Sequence, residues 1–197
     1  DGNVIIGKGA GQDGAADMSS CVVIGTNAMD GTGTNAQTGT IAIGHNSLTA
    51  LTTGVSNVAI GYQAGDGLTD GGNNVLIGHD ANSAGGASAS QNIGIGVNAL
   101  LNAEGSNNVA IGYASGDVIT TGNQNILIGR STDPSANSGA NQTVIGYNAT
   151  GQGDDTVVLG NSSVTDVYMA EDSQAIVHAQ NVPNHDQQFC NTNHQKL

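Results

Sequence analysis

One phrase returns ten times along the chain. The stretch Asn57-Val58-Ala59-Ile60-Gly61-Tyr62-Gln63-Ala64-Gly65 comes back almost letter for letter as Asn108-Val109-Ala110-Ile111-Gly112-Tyr113-Ala114-Ser115-Gly116. An Ile-Gly or Leu-Gly step ends at Gly7, Gly25, Gly44, Gly61, Gly78, Gly96, Gly112, Gly129, Gly146 and Gly160. Neighbouring glycines lie 16 to 19 residues apart, and the last spacing is 14. Self-similarity at one short period is the mark of a repeat array, and it constrains the fold before any other reading.

Aligned on that glycine, each column has a physical task. Three before it stands a β-branched residue in every copy, from Val4 through Val58, Val75, Val109 and Ile126 to Val157. β-Branched side chains suit a pleated strand and disfavour a helix. One before it is Ile60, Ile77, Ile111, Ile128 or their equivalents, with Leu159 in the last copy. These two columns are two residues apart and share one strand face. The sequence therefore predicts that Val58, Ile60, Val75, Ile77, Val109, Ile111, Ile126 and Ile128 form the structural core of the repeat. The residue between them is apolar and often small (Ala42, Ala59, Gly94, Ala110), and that second face calls for cover by another chain.

Four before the glycine sits Asn57, Asn74, Asn92, Asn108 or Asn125, with Gln142 in a further copy. Stacked coils would superpose these amides in a hydrogen-bonded ladder. Three after it only Ala, Ser and Thr occur, so backbone or a partner passes close there. Each unit reads as a short strand, a corner at the glycine, a second short strand and a polar turn. A unit this thin buries no core alone and needs neighbours above and below. A second period overlies the first: Gly61 to Gly112 and Gly78 to Gly129 both span 51 residues, as duplication of a three-unit block would give.

The expected fold is all-β, a parallel β-solenoid of about ten coils over residues 1–160. Residues 161–179 are expected as capping strands, and residues 180–197, rich in Asn, Gln and His, as a polar tail or linker. Asp1 begins almost inside a copy, as in a piece cut from a longer chain. The absence of a signal-peptide pattern fits a mature form or a virion part.

Composition bounds the function. With 16 acidic residues against 3 lysines and arginines the formal net charge is −13. Nucleic-acid binding needs a basic footprint, and attraction to anionic lipid needs the same, so neither partner is expected. No apolar run approaches the length of a membrane span. No histidine or cysteine spacing suggests a metal, and no cofactor is expected. Ile93-Gly94-Ile95-Gly96 resembles part of a dinucleotide loop, but no helical pattern follows it. Asp154 and Asp155 are adjacent carboxylates in a turn without a pocket signal, so no catalytic residue is assigned. Cys21 occupies the Asn column and is expected as a packed free thiol; a bridge to Cys190 is the alternative.

One column carries recognition chemistry. Directly after the glycine come His45, Tyr62, His79, Tyr113, Arg130 and Tyr147. In a solenoid they line one edge. They either pack between chains and cover small neighbours, or they face a ligand, for which Tyr and Arg offer area plus hydrogen bonds.

The motif Asn-Val-Ala-Ile-Gly-x-x-(Ala/Ser) resembles the head repeat of trimeric autotransporter adhesins and the related repeats of bacteriophage tail fibres, over roughly residues 1–160. The segment from Thr156 to Ala170 is similar to the end of such arrays in phage fibres. The resemblance implies a left-handed β-roll with two short strands per coil and three chains side by side. It implies inter-strand columns made of the β-branched residue and the Ile, with the small column near the trimer contact. The turns are longer than the roughly 14-residue adhesin repeat allows. The function this implies is a non-enzymatic, extracellular attachment segment, its partners being copies of itself and a cell-surface glycan or protein. An open filament subunit is the alternative, and an ice-binding solenoid a lesser one.

Overall fold

The structure is a computed structural model that describes residues 2–12, 18–31 and 36–167. Every β-strand among them is three residues long and stands where the repeat puts it. They are β1 (Val4–Ile6), β2 (Val22–Ile24), β3 (Ile41–Ile43), β4 (Val58–Ile60), β5 (Val75–Ile77), β6 (Ile93–Ile95), β7 (Val109–Ile111), β8 (Ile126–Ile128), β9 (Thr143–Ile145) and β10 (Val157–Leu159). They form one parallel sheet in sequence order, each strand paired with the next. The chain is thus an all-β solenoid of about nine turns. Register follows the alignment without a slip: Val58 pairs with Val75, Ala59 with Leu76 and Ile60 with Ile77. The β-branched and Ile columns are inter-strand columns, as the resemblance implies.

The corner explains why there is one strand per coil rather than two. Gly61 turns the chain with φ 144°, a conformation open only to glycine, and an added Cβ would sit on the carbonyl oxygen of Gly78 in the next coil. Two and four residues further on the backbone is left-handed again, as at Gln63 (φ 53°) and Gly65 (φ 66°) or Asn46 (φ 55°) and Leu48 (φ 52°). No strand accommodates that alternation. Hydrogen bonds between coils continue through it: Gln63 N–H donates to His45 O and Gly65 N–H to Ala81 O.

The core lies opposite to the sequence expectation. With three residues per strand only the middle one points inward. Val23, Ala42, Ala59, Leu76, Ala110, Leu127 and Val144 are fully buried. Val58, Ile60, Val75, Ile77 and Val109 are half-buried, and Ile111, Ile126 and Ile128 are exposed. The columns expected as core are therefore the outer face of the sheet, and the small column between them is the inner one. The position three after the glycine (Ala64, Ala81, Ala99, Ser115) is also fully buried, so its small size serves the interior of one chain rather than a contact between chains.

The interior also supplies the reason for the 51-residue period. A level of the solenoid holds one or two large side chains, and the column that supplies them rotates. In the coil of Ala42 it is Leu48, four after the glycine, with Leu51; in the next it is Leu68, seven after; in the third it is Leu76, in the strand itself. The following block repeats this with Leu100, Ile119 and Leu127. Glycine stands where the neighbouring levels fill the space: a Cβ on Gly65 would lie 2.7 Å from Leu48 Cδ2 and 3.0 Å from Leu76 Cδ1. Rotating the large residue keeps the column at close-packed density without overfilling any level.

The amide ladder is present and buried. Asn57 Oδ1 accepts from Asn74 N–H at 2.9 Å, and Asn74 Oδ1 from Asn92 N–H at 2.9 Å. Asn92 Oδ1 accepts from Asn108 N–H at 2.8 Å, Asn108 Oδ1 from Asn125 N–H at 3.1 Å, and Asn125 Oδ1 from Gln142 N–H at 3.0 Å. Each Nδ2 donates to a backbone carbonyl, such as Gly122 O from Asn108 at 2.9 Å. The ladder expected from the sequence is thus mainly side chain to backbone between coils, with direct amide-to-amide bonds from Asn74 Nδ2 to Asn57 Oδ1 and from Asn125 Nδ2 to Asn108 Oδ1, each at 3.0 Å. Cys21 continues this column as a buried free thiol. Residues 161–167 of the expected cap carry no strand, and residues 168–179, the polar tail and Cys190 lie outside the described residues.

Candidate functional site

The corner glycine sets the site. Because the backbone reverses its sense there, the next side chain projects outward beside the Ile column, once per coil. Stacked coils then repeat it at roughly the 4.8 Å spacing of paired strands. The rings follow that spacing. His45 and Tyr62 stack with centroids 5.3 Å apart and planes at 8°; Tyr62 and His79 follow at 4.9 Å and 20°. Arg130 Cζ lies over the ring of Tyr113 at 5.5 Å and over that of Tyr147 at 5.8 Å. Val97 separates the two triads. The structure brings together all six side chains singled out in the sequence, in two groups of three.

The concentration of chemistry is sharper than the alignment suggested. Every Lys, Arg, His and Tyr among the described residues stands in this one column: Lys8, His45, Tyr62, His79, Tyr113, Arg130 and Tyr147. All are exposed, Tyr113 at 51% and Tyr147 at 60%. Stacking covers ring faces and leaves ring edges, hydroxyls and nitrogens toward solvent. The row is accordingly a polar, edge-on stripe bordering the apolar outer face of the sheet.

The two triads differ electrostatically. His79 Nδ1 lies 2.9 Å from Asp80 Oδ2, an ion pair when the imidazole is protonated. Asp66 sits beside the same triad; burial pushes its carboxyl above the usual range and Asp80 adds to this, while Thr49, Gln63 and His45 oppose it. Around Tyr113, Arg130 and Tyr147 no carboxylate comes within ion-pair distance among the described residues. Asp80 follows His79 directly in the sequence, and Asp66 shares its column with Asp30 and Asp117; what the sequence does not show is that Asp66 lies near His45 and Asp80 once the coils stack.

Burial and the neighbouring Asp117 charge raise the Asp133 pKa to about 6, against the pull of the Val118 and Gly116 amides, and its Oδ1 is buried without a partner. Asp154 Oδ1 accepts from Ala140 N–H at 2.8 Å and Gln142 Nε2 at 3.1 Å, and Asp155 Oδ1 accepts from Asn141 Nδ2 at 2.7 Å. The Ala140 amide first, then Gln142, hold the Asp154 carboxyl below its ordinary range. These adjacent acids fasten neighbouring turns together. A cavity of about 430 Å³ near the last coil is lined by Asn148, Thr150, Gln152, Val158, Gly160, Asn161 and Ser162, with no titratable side chain. Among the described residues no group of three His, Cys, Asp or Glu could hold a metal ion, and no helix is long and apolar enough to cross a membrane.

In comparisons with known proteins no family model matches the chain, and no curated protein and no solved structure matches it.

Proposed function

We propose that the chain is a segment of a non-enzymatic extracellular fibre or head, of the phage tail-fibre or bacterial adhesin type. In this reading three copies lie side by side and attach to a cell surface. The observation that carries it is the outer face of the sheet. Twenty positions in two columns run unbroken from Val4 and Ile6 to Val157 and Leu159, and only Thr143 among them is not apolar. At about 4.8 Å per coil and roughly 10 Å of width, this face covers on the order of 500 Å². That is at the upper end of the apolar patches that soluble monomers leave in water. Copies of the same chain are the occupant that matches its length and straightness: a parallel neighbour presents the same columns at the same rise. The aromatic and basic row borders this face and would stay at the outer edge of the assembly, where recognition residues belong.

Cell binding tests the reading. Fluorescently labelled protein is expected to bind cells saturably in flow cytometry across a panel of bacterial and animal surfaces. A variant with Ile77→Asp and Ile111→Asp, which places charges on the outer face, is expected to lose both assembly and binding. Absence of saturable binding to every surface would refute attachment and leave a spacer role.

A further inference from the structure

The second triad has the chemistry of a binding site with a narrower ligand class. We propose that Tyr113, Arg130 and Tyr147 form a cradle for the carboxylate of an acidic sugar at a glycan end. The proposal rests on the attachment reading and names what that edge would recognise.

Arg130 is the only arginine of a chain whose net charge is −13, and among the described residues no carboxylate pairs with it. An isolated guanidinium on so acidic a molecule would ordinarily find a counter-charge from its own chain. Instead it lies over two tyrosine rings, one in the coil before and one in the coil after, at 5.5 and 5.8 Å. This contact holds the side chain in place, so little of its rotamer freedom remains to be lost on binding. It covers the guanidinium without consuming any N–H donor, leaving a fork that matches a carboxylate in two parallel hydrogen bonds. The two tyrosines place hydroxyls on either side, suited to the hydroxyls of a sugar ring.

Charge decides among anions. A densely charged polymer such as a polysulfate would meet one fixed cation and 16 acidic residues, and repulsion would win. A single carboxylate on an otherwise neutral glycan meets the cation alone. The first triad offers no such cradle, because Asp80 already lies against His79. In an assembly of three chains the cradle recurs three times, and weak single sites gain by multivalency.

The experiment titrates the full chain with sialyllactose and trigalacturonate as acidic probes, lactose as the neutral one and dextran sulfate as the dense polyanion. Saturation-transfer NMR and tyrosine fluorescence report binding, the latter helped by the lack of tryptophan. At least one acidic sugar is expected to bind with Kd on the order of 1 mM. Arg130→Gln is expected to weaken it tenfold or more, Arg130→Lys less, and lactose is expected not to bind. Binding of neither acidic sugar, equal binding of lactose, preference for dextran sulfate, or indifference to Arg130→Gln overturns the proposal. So does loss of assembly in Arg130→Gln, read by light scattering, since the triad would then be packing between chains. Cell binding that survives Arg130→Gln would overturn the cradle and leave attachment standing. Wild-type protein that binds acidic sugars through Arg130 but no cell would separate the two the other way.

Discussion

Asn108→Ala should be among the most damaging single changes in the ladder, and its cost can be worked from the bonds it breaks. Asn108 is fully buried. Its Oδ1 accepts from Asn125 N–H at 3.1 Å and Asn125 Nδ2 at 3.0 Å, and its Nδ2 donates to Gly122 O at 2.9 Å. Asn125 Nδ2 keeps a second acceptor, Gly139 O at 2.7 Å. Truncation therefore orphans two buried groups, the Asn125 amide and the Gly122 carbonyl. At about 1–3 kcal/mol each, the loss is about 2–6 kcal/mol, with a small void adding to it. Asn108→Asp makes the reasoning stricter because it keeps the shape. The ionised carboxylate still accepts from Asn125 but sets an oxygen against Gly122 O; the protonated acid can donate to it. Its folded pKa is thus raised above the unfolded value near 3.9, so its penalty against wild type is full at pH 8 and shrinks as pH falls toward 4. The assay is urea unfolding by circular dichroism at fixed chain concentration, for both variants and wild type, at pH 8, 6 and 4. A cost below about 1 kcal/mol for Asn108→Ala, or an Asn108→Asp deficit that does not change with pH, would refute the ladder as a stabilising element.

Asp133→Asn tests the buried carboxyl. Because its folded pKa is raised to about 6, the native state disfavours the charged form, and stability is expected to rise as pH falls from 7 toward 4. Asn removes that dependence and should stabilise the chain at pH 7–8 by about 1 kcal/mol, after discounting for partial exposure; pH-scanned thermal melts check it. Gly61→Ala and Gly153→Ala share a φ near +145°, but only the former drives a Cβ into backbone, whereas Gly153 has open space around it. Circular dichroism melts should show loss of the solenoid fold around Gly61 and, for Gly153, a drop confined to backbone strain of about 1–3 kcal/mol. Leu48→Ala should cost about 2–5 kcal/mol, and adding Gly65→Ala should cost less in that background than alone, because Leu48 Cδ2 is what its Cβ would strike; a double-mutant cycle in urea reads the coupling.

The repeat made the parallel register, the coil boundaries and the corner glycine legible, because those follow from residues recurring at one spacing. It misled about which face is inside. Period-two reasoning put Val58 and Ile60 together correctly, yet a larger, β-branched pair on a three-residue strand looks like core. In the single chain it is the half-exposed outer face. The inward residue, Ala59 or Gly94, is small because large neighbours from Leu48, Leu68 and Leu100 reach into its level, a relation between coils that a column-wise alignment cannot display. The second strand was expected from reading each unit as strand, corner, strand and turn, and from the resemblance. The left-handed columns that prevent it did carry a signal, Asn27, Asn46, Asn98 and Asn148 two after the glycine and Gly11, Gly65 and Gly116 four after it, but Gln63 and Leu48 in the same columns obscure it. At the candidate site the row itself was readable. Which triad holds an ion pair was not: Asp80 follows His79 in the sequence, but only the fold shows that it turns onto that imidazole while no carboxylate reaches Arg130 among the described residues.

The central claim is that the outer Val/Ile face is an interface between copies of this chain. The native mass of the purified protein by light scattering tests it most directly. The account expects one discrete species of three 19.5 kDa chains that the Ile77→Asp and Ile111→Asp changes break apart. A folded, monodisperse monomer would contradict it. Long particles of indefinite mass would replace the closed trimer with a filament.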